Sequence, residues 1–381
     1  MPMSASLINS QQDSAKTLDG YSRASSVILL MAGVLLLFSH ITIAEPWLAV
    51  QSGGKCMMCH VNPTGGGKRN EYGHIYGLNT LTAETVTDFS NVARLSDRVS
   101  FGGDLRVNAV ATQIPNQANK FAFESEEILF YMETTLIPGR LTFYFDERLG
   151  PGGASNREMY GMYWFRDNSL YLKAGRMFLP YGWRMEDDTA YIRQVTGINY
   201  ATPDDGMEIG LELDQWSTSL AITNGTAGGS ETSKGKQFSL LASYVAQAWR
   251  AGFSYNFNDV KDEDRTMTGV FAGLRTGLFN WLAEVDAIRD DGAVGGQLKQ
   301  RVALFEVNAM VNKGHNIKTT YEYFDPNRNL AEDERTRISL VWEWFPMPYT
   351  QLSIGVRDSS GIPQNDLQNA SEWFVQLHNY L

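Results

Sequence analysis

A strict two-residue alternation of apolar and polar side chains, which begins near residue 98, restricts the fold of this chain more than any other feature. Between residues 99 and 109 the odd positions are apolar or glycine, whereas the even positions include Asp104 and Arg106. The same alternation recurs in 279–287 and 303–311. Successive side chains of a strand point to opposite faces, so each stretch predicts a strand with one apolar face. A soluble sandwich would bury these faces in pairs, whereas a membrane barrel turns them outward to lipid.

The number of predicted strands and the lengths of their connections decide between these two architectures. Sixteen strands are predicted, at residues 98–112, 121–136, 140–149, 157–166, 169–178, 206–213, 216–223, 236–245, 249–257, 266–275, 278–289, 300–311, 315–324, 335–345, 349–357 and 371–381. Short turns such as 137–139 and 313–314 alternate with long polar connections such as 179–205 and 258–265. An even strand number with this alternation is typical of outer-membrane barrels, whose short turns are periplasmic.

Residues 95–381 therefore predict an all-β fold, a transmembrane antiparallel β-barrel of about 16 strands that resembles a porin. We expect this barrel in the cell outer membrane, with outer-membrane lipid around it. The phase of the short and long connections places both chain termini in the periplasm.

The N-terminus carries an apolar run of twelve residues at 27–38, preceded by Lys16 and Arg23 and followed by a small-residue sequence that ends at Ala44. This pattern predicts that residues 1–44 are a signal peptide, removed on export. Twelve apolar residues are too few to span a bilayer as a helix. A retained membrane anchor is the alternative interpretation.

The motif that carries chemistry is Cys56-Met57-Met58-Cys59-His60, since the pattern Cys-x-x-Cys-His is typical of c-type haem attachment. We predict that Cys56 and Cys59 bind one haem c covalently and that His60 is the proximal ligand of its iron. A structural zinc site would need four ligands, and the chain has only these two cysteines. A thioredoxin-like redox pair would need a βαβ context, which the alternating strands do not provide.

Residues 45–94 form a glycine-rich segment that we interpret as a monohaem c-type cytochrome segment. The run Gly65 to Gly67 would let the backbone lie against a flat macrocycle, because glycine has no side chain to obstruct it. A flexible linker is the alternative. So short a segment buries too little apolar surface to fold alone, so haem and the barrel must complete its packing. The net charge of −11, without a basic stripe, excludes nucleic acid as an expected partner.

Several residues are candidates for the second axial ligand of the iron. His74, the nearest histidine beyond the glycine run, is the predicted distal ligand. His378 should face the lumen near the periplasmic end of the last strand, where a docked haem could meet it. His315 lies beside a periplasmic turn and could serve only a haem at the rim. A methionine ligand, or no second ligand, is also compatible with the sequence.

One haem motif followed by a barrel resembles the outer-membrane monohaem cytochrome–porin fusions of iron-oxidising bacteria. Cys56, Cys59 and His60 match the attachment motif of that family, whereas Pro63 and Arg69 match its following residues only loosely. The glycine run departs from the family pattern and leaves the electron donor open. The resemblance implies electron transfer across the outer membrane, with periplasmic cytochromes or other electron carriers as partners and extracellular Fe(II) as a candidate donor.

The longest predicted loop, 179–205, overlaps a stretch at 175–184 that resembles the corresponding part of phosphate-selective-type porins. The longest loop of a sixteen-strand porin often folds into the pore, and a loop lying outside is the alternative. The predicted outer loops are acidic, with Glu186, Asp187, Asp188, Asp204, Asp205, Asp262, Glu263, Asp264, Glu332, Asp333 and Glu334. An acidic rim would raise the local concentration of cations such as Fe(II), although a plain solvated face is the alternative.

Two functions are compatible with these expectations. The first is an electron-transfer protein whose haem segment occupies the lumen, because a haem at the periplasmic rim would lie too far from the outer surface for tunnelling. The second is a diffusion porin whose haem-bearing segment is a sensor or regulatory cap. Ion conductance distinguishes the two, and no residue pattern decides whether the chain itself oxidises Fe(II).

Overall fold

The structure is a computed structural model that describes residues 45–85, 93–165, 168–198, 202–231, 234–260, 263–292 and 296–381. The predicted signal peptide lies outside the described residues, as does the part of the predicted haem segment at 86–92. No helix in these described ranges is long and apolar enough to cross a bilayer.

Antiparallel strands close into one barrel in which each strand pairs with its neighbours in sequence. The strands are β1 Val99–Gln113, β2 Lys120–Ile137, β3 Leu141–Gly150, β4 Ser155–Phe165, β5 Leu170–Met177, β6 Asp204–Leu213, β7 Trp216–Thr223, β8 Gln237–Val245, β9 Trp249–Val260, β10 Glu263–Thr276, β11 Phe279–Asp291, β12 Leu298–Asn312, β13 His315–Asp325, β14 Arg335–Trp344, β15 Thr350–Ser360 and β16 Ser371–Tyr380. β1 closes on β16, with Asp104 opposite Tyr380 and Gln113 opposite Ser371. Closure leaves no free sheet edge, which a bilayer without water requires.

The prediction of a barrel with about sixteen strands is confirmed, and each predicted strand end lies within three residues of the observed one. Because the strand number is even, β1 begins and β16 ends at the same end of the barrel, which carries the short turns. The prediction of a long connection at 258–265 is wrong, since β9 continues to Val260 and β10 begins at Glu263. The polar residues there extend the two strands, with Asp259 opposite Asp264.

Apolar side chains face outward from this barrel and polar side chains face inward, the reverse of a soluble barrel. On β6, Met207 and Ile209 are exposed, whereas Glu208 between them is fully buried. At the short-turn end, Trp342 and Trp344 stack on the outer face. An outer apolar band with interfacial aromatic residues is what a lipid-facing barrel requires.

The N-terminal segment folds into short helical pieces. Helix α1 spans Pro46–Ser52, a 3-10 turn spans Cys56–Met58, and helix α2 spans Glu71–Tyr76 and continues into a π-helical turn at Gly77–Leu81. A proline suits the first turn of α1 because no hydrogen bond is needed from its nitrogen there. Gly53 follows the last residue of α1 in a left-handed conformation and caps the helix, because its amide donates to the carbonyls of the last turn.

This segment lies in the lumen at the short-turn end of the barrel. α1 packs against β10 and β11, and Trp47 is only 1% exposed. Lys55 Nζ donates to the carbonyls of Leu213 and Trp216 at the β6–β7 turn, at 2.8 and 2.7 Å. Across the barrel, the Ala83 amide donates to the Phe345 carbonyl at 2.9 Å. The described part of the segment therefore reaches from one side of the barrel end to the other.

The connection between β5 and β6 enters the lumen from the opposite end, which confirms the inward prediction for loop 179–205. Its helix α3, Tyr191–Thr196, packs against β11, β12 and β13. Tyr181 Oη donates to Asp286 Oδ1 at 3.0 Å. Asp187 pairs with Arg357 of β15 at 2.5 Å. The N-terminal segment and this inward loop meet inside the barrel.

Candidate functional site

The spacing of Cys56, Cys59 and His60 brings their side chains to one side of a single helical turn. The Cys59 and His60 amides both donate to the Cys56 carbonyl, at 3.1 and 3.0 Å. Positions i, i+3 and i+4 share one face of a helical turn. The local fold therefore presents two thiols and one imidazole together.

A tight reversal follows this turn and returns the chain beside it. His60 and Arg69 form an antiparallel bridge, and between them Gly65, Gly66 and Gly67 have φ angles of 93°, 72° and 63°. Three consecutive left-handed residues are unfavourable for any residue other than glycine. A Cβ on Gly65 would also lie 3.3 Å from Cys56 Cβ. The glycine run thus keeps the backbone close to the first cysteine.

The two thiols and the imidazole face a single cavity inside the barrel. Its empty volume is about 1020 Å³ when the space open to solvent is included. The segment, the inward loop and strands β6–β10 all contribute to its lining, which includes Cys56, Cys59, His60, Trp183, Arg184 and Phe271. A cavity that combines aromatic walls with cationic side chains, among them Arg69 and Arg184, suits a large, flat, partly anionic group.

The residues present fit a covalent haem. Cys56 and Cys59 are free thiols, and burial raises the pKa of Cys59 to about 11. Burial, together with the Arg69 and Arg184 guanidinium groups, lowers the pKa of His60 to about 3, so that its imidazole is neutral at neutral pH. A neutral imidazole is the form that binds a metal. The backbone of Gly66 and Gly67 lies beside the imidazole, but the buried Nδ1 atom of His60 has no partner of good hydrogen-bond geometry among the described residues.

The segment is held in the lumen by buried hydrogen bonds to strands β4 and β5. Asn62 Nδ2 donates to Glu158 Oε1 at 3.2 Å, and Asn62 Oδ1 accepts from Lys173 Nζ at 3.3 Å. Lys173 also pairs with Glu208 at 2.9 Å, and both side chains are fully buried. Removing one partner of such a buried ion pair costs about 3–5 kcal/mol. This ion pair therefore stabilises the part of the barrel wall that contacts the segment next to His60.

Strands β2 and β3 hold the next part of the segment. The Lys68 amide donates to Tyr144 Oη at 2.9 Å, and Lys68 Nζ donates to Glu133 Oε2 at 3.2 Å. A Cβ on Gly67 would lie only 2.2 Å from Tyr144 Oη. Glycine at position 67 is thus required by close approach to the barrel wall.

His74, the predicted distal ligand, points elsewhere. Its imidazole is 8% exposed, and Nε2 lies 3.3 Å from the hydroxyl of Tyr349, in the turn between β14 and β15. Gly73 and Tyr76 line the cavity, but His74 is not among the lining residues. The direction of helix α2 turns this imidazole toward the barrel wall, so its role as an iron ligand stays a prediction that the arrangement does not favour.

We expect His74→Ala to leave the haem absorption spectrum unchanged and His60→Ala to alter it, because only His60 faces the cavity. His74→Ala should cost about 1 kcal/mol of stability through the lost hydrogen bond to Tyr349. Spectra of the oxidised and reduced proteins measure the first effect, and thermal unfolding measures the second. Tyr349→Phe removes the same hydrogen bond and is the matched control. A spectral change in His74→Ala but not in Tyr349→Phe would show that His74 does bind iron.

His378 faces the lumen as predicted, but carboxylates occupy both of its ring nitrogens. Nε2 lies 2.8 Å from Asp104 Oδ1, and Nδ1 lies 2.9 Å from Glu186 Oε1. His378 and His60 line a smaller cavity with an empty volume of about 380 Å³. The described arrangement therefore uses His378 to hold the inward loop, which leaves no ring nitrogen for iron.

His315 lies on the outer face of the barrel. Its ring stacks on Trp342 and Trp344, at 5.8 and 6.1 Å between centroids. The next residue, Asn316, is fully buried and faces inward, so strand alternation directs His315 to the lipid side. The structure thus separates His315 from the cavity.

The prediction of an acidic outer rim is partly wrong, because Glu186, Asp187 and Asp188 lie in the inward loop. Glu186 pairs with Arg106 at 3.1 Å, and Asp188 pairs with Arg193 at 2.6 Å. Burial opposes ionisation of Glu186, but Arg106 and His378 outweigh it and lower its pKa to about 2. Glu186 and Asp187, paired with Arg106 of β1 and Arg357 of β15, therefore fasten the loop to the barrel wall, whereas the Asp188 pair lies within the loop.

A second cavity, with an empty volume of about 1340 Å³, lies in the lumen between the inward loop and the far wall. Nine carboxylates and three cations line it: Glu45, Glu124, Glu126, Glu186, Asp187, Glu306, Glu322, Glu343 and Glu372, with Arg106, Lys318 and Arg357. This acidic excess favours cations in the lumen.

Several residues of the first cavity were not predicted from the sequence. Trp183, Arg184, Arg250 and Phe271 all line it, although each lies more than a hundred residues beyond the haem motif. The Gly-Trp-Arg run at 182–184 belongs to the stretch that resembles phosphate-selective-type porins, and that resemblance does not predict a place in the cavity. No sequence signal marks Arg250 or Phe271, because each is one inward position of an ordinary strand.

Comparison of the sequence with protein-family models and with curated proteins finds no match. Solved structures of porin-like proteins, however, resemble the fold. OmpT of Vibrio cholerae lacking loop L8 has a TM-score of 0.58 at 14% identity, covering 74% of this chain and 99% of that chain. The anion-selective porin from Comamonas acidovorans has a TM-score of 0.59 at 11% identity, with 74% and 99% covered. OprB of Pseudomonas putida has a TM-score of 0.61 at 9% identity, with 80% and 100% covered.

These likenesses show a shared fold, the porin-like β-barrel. At such low identity they carry no residue of the cavity over from one protein to another. The cavity at Cys56, Cys59 and His60 must therefore be interpreted from its own chemistry.

Proposed function

We propose that this chain is an outer-membrane electron-transfer protein that carries electrons across the outer membrane through one covalent haem c held by its porin-like barrel, with extracellular Fe(II) as candidate donor. One observation carries the proposal. Cys56, Cys59 and His60 face a single cavity inside the lumen, whose lining also supplies aromatic and cationic side chains. A haem attached there would stand within the barrel, between the two sides of the membrane.

The roles of the residues follow from their places in the cavity. Cys56 and Cys59 would supply the thiols for attachment, and His60 would supply the nitrogen ligand to iron. Trp183 of the inward loop and Phe271 of β10 form an aromatic lining, which would disfavour water beside a bound group. A bound haem supplies a one-electron couple at its iron. The protein sets the position of the haem, supplies the axial nitrogen of His60 and places charges around the haem.

The porin-like fold supports placement in the outer membrane, where the short-turn end would face the periplasm. The N-terminal segment lies at that end, so a periplasmic cytochrome or other electron carrier could approach it. From the other side, the acidic second cavity would concentrate cations such as Fe(II) toward the middle of the lumen. These two approaches would place donor and acceptor on opposite sides of one haem.

Adding Fe(II) without oxygen to the purified, oxidised protein should reduce it by one electron per chain, as one Fe(II) becomes Fe(III). Absorbance of the reduced c-type haem measures the reaction, and a chelator specific for Fe(II) measures its consumption. A variant without both cysteines should consume no Fe(II). If dithionite reduces the protein but Fe(II) does not, another donor must replace Fe(II) in this proposal.

The alternative is a diffusion porin whose haem-bearing segment is a sensor or regulatory cap. The second cavity favours it, because an open, charged space between the inward loop and the barrel wall is what a solute path would use. Steady ion conductance of the full-length protein in planar bilayers would support this alternative.

A further inference from the structure

Arg250 is a deeply buried cation in the barrel wall of the cavity described above. It is the second residue of β9 and is 5% exposed, whereas its neighbour Trp249 faces outward and is 46% exposed. Its guanidinium carbon lies 5.0 Å from the ring centroid of Trp183. Its Nε and Nη1 atoms are buried and have no hydrogen-bond partner in the described part of the chain.

The carboxylates that line this cavity are already occupied. Glu212 of β6 pairs with Lys55 at 3.0 Å. Glu45 of the segment pairs with Lys318 at 2.6 Å. Between residues of the described ranges, no ion pair to Arg250 is present. Glu212 attracts Arg250 at longer range, but within the part of the protein that the structure describes no carboxylate pairs with it directly.

A buried guanidinium without an anion is unfavourable, because its N–H groups lose their hydrogen bonds to water and gain none in return. The Trp183 ring covers one face of the guanidinium group. The edge of that group, where its N–H donors lie, remains available to a ligand. The stem is also held in place. A Cβ on Gly273 would lie 3.4 Å from both Arg250 Cγ and the Trp183 ring. The fold thus holds a planar pair of donors ready for a carboxylate.

We infer that Arg250 binds a carboxylate inside this cavity, and that this carboxylate is a propionate of the haem. The inference rests on the proposed function. Haem carries its two propionates away from the vinyl groups that react with cysteines. Cys56 and Cys59 belong to the segment, so the propionates would meet the opposite lining, which the inward loop and the barrel wall provide. Arg184 of that loop is already paired with Glu158 at 3.2 Å, whereas Arg250 has no ion pair among the described residues. Arg250 is then a positioning residue, and its charge favours the reduced state of the iron.

The test compares the midpoint potential of wild-type protein with those of Arg250→Gln and Arg250→Lys between pH 5 and pH 9. Arg250→Gln should lower the potential, because a positive charge near the iron is lost. Its potential should also fall with rising pH, since a propionate without its cation has a raised pKa and titrates in this range. Arg250→Lys keeps the charge and should remain close to wild type.

The matched control is Arg337→Gln. Arg337 is as deeply buried, at 6% exposed, but it pairs with Glu322 and does not line this cavity. It should change neither the potential nor its dependence on pH. An unchanged potential and pH profile in Arg250→Gln, with covalent haem intact, would overturn the inference. If Arg250→Gln does not assemble, resonance Raman spectra of wild type and Arg250→Lys replace it. The propionate bending band must shift between them, and an unshifted band overturns the inference.

Two further outcomes are distinguishable. Acetate titrated into wild-type protein at constant ionic strength should not change the potential, because the propionate already occupies Arg250. A change in wild type that Arg250→Gln abolishes would assign the site to a free carboxylate and overturn the propionate assignment. A wild-type protein without covalent haem would instead refute the proposed function itself, whatever the variants show.

Discussion

Replacing Cys56 and Cys59 together by alanine should abolish covalent haem and all haem-dependent electron transfer, while the barrel remains folded. The cysteines are the chain's only thiols and both face the cavity. The barrel ladder does not involve them, and loss of one sulfur atom per site should cost roughly 1 kcal/mol or less at each. Haem staining on a denaturing gel measures the loss, in a host competent for cytochrome maturation. Heat-modifiable gel mobility measures the folded barrel.

The matched control for this variant lies within the same turn. Met57 and Met58 separate the two cysteines, but neither is among the residues that line the cavity. Replacing both methionines by alanine should therefore preserve haem staining. Staining that persists in the double cysteine variant, or wild-type protein that never stains, would refute covalent attachment at this motif. Loss of folding rather than of haem would show that the cysteines serve the packing of the segment.

Deleting residues 46–85 should convert a closed barrel into an open, ion-conducting pore. The described segment crosses the lumen at the short-turn end, where Lys55 contacts the β6–β7 turn and Ala83 contacts the β14–β15 turn. Sixteen-strand barrels without such an insertion leave an aqueous channel. The ladder from β1 to β16 is closed without this segment, and water can solvate the wall charges it leaves. Single-channel recording in planar bilayers should show low conductance for the full chain and high conductance for the deletion.

A point variant distinguishes closure of the lumen by the segment from the fastening of the segment to the barrel wall. Lys55→Gln removes the ion pair with Glu212 and weakens one fastening, but Asn62 and Lys68 still hold the segment on β2–β5. It should conduct far less than the deletion. If the full-length protein conducts as well as the deletion, the segment does not close the lumen. The diffusion-porin alternative would then be the better account.

Much of this fold follows from local pattern, because lipid outside and water or polar groups inside impose a two-residue period on every strand. The alternation around Asp104 or Glu208 suffices to predict a strand and its inward face. The predictions are wrong where a charged stretch suggests a loop. Charged residues near Asp259 and Asp264 extend β9 and β10, and Glu186 turns inward to Arg106 and His378. Local composition cannot tell a solvated carboxylate from one paired inside the lumen.

The sequence by itself determined the barrel, the strand number and the Cys-x-x-Cys-His spacing, since each depends on residues close together in the chain. Only the tertiary structure decided what surrounds Cys56, Cys59 and His60. Arg184 and Arg250 reach the cavity from an inward loop and a distant strand, and the closed barrel brings them there. The same closure turns His74 toward Tyr349 and sets His378 between two carboxylates. Barrel closure makes neighbours of residues far apart in the chain, and no local pattern records which inward positions will meet.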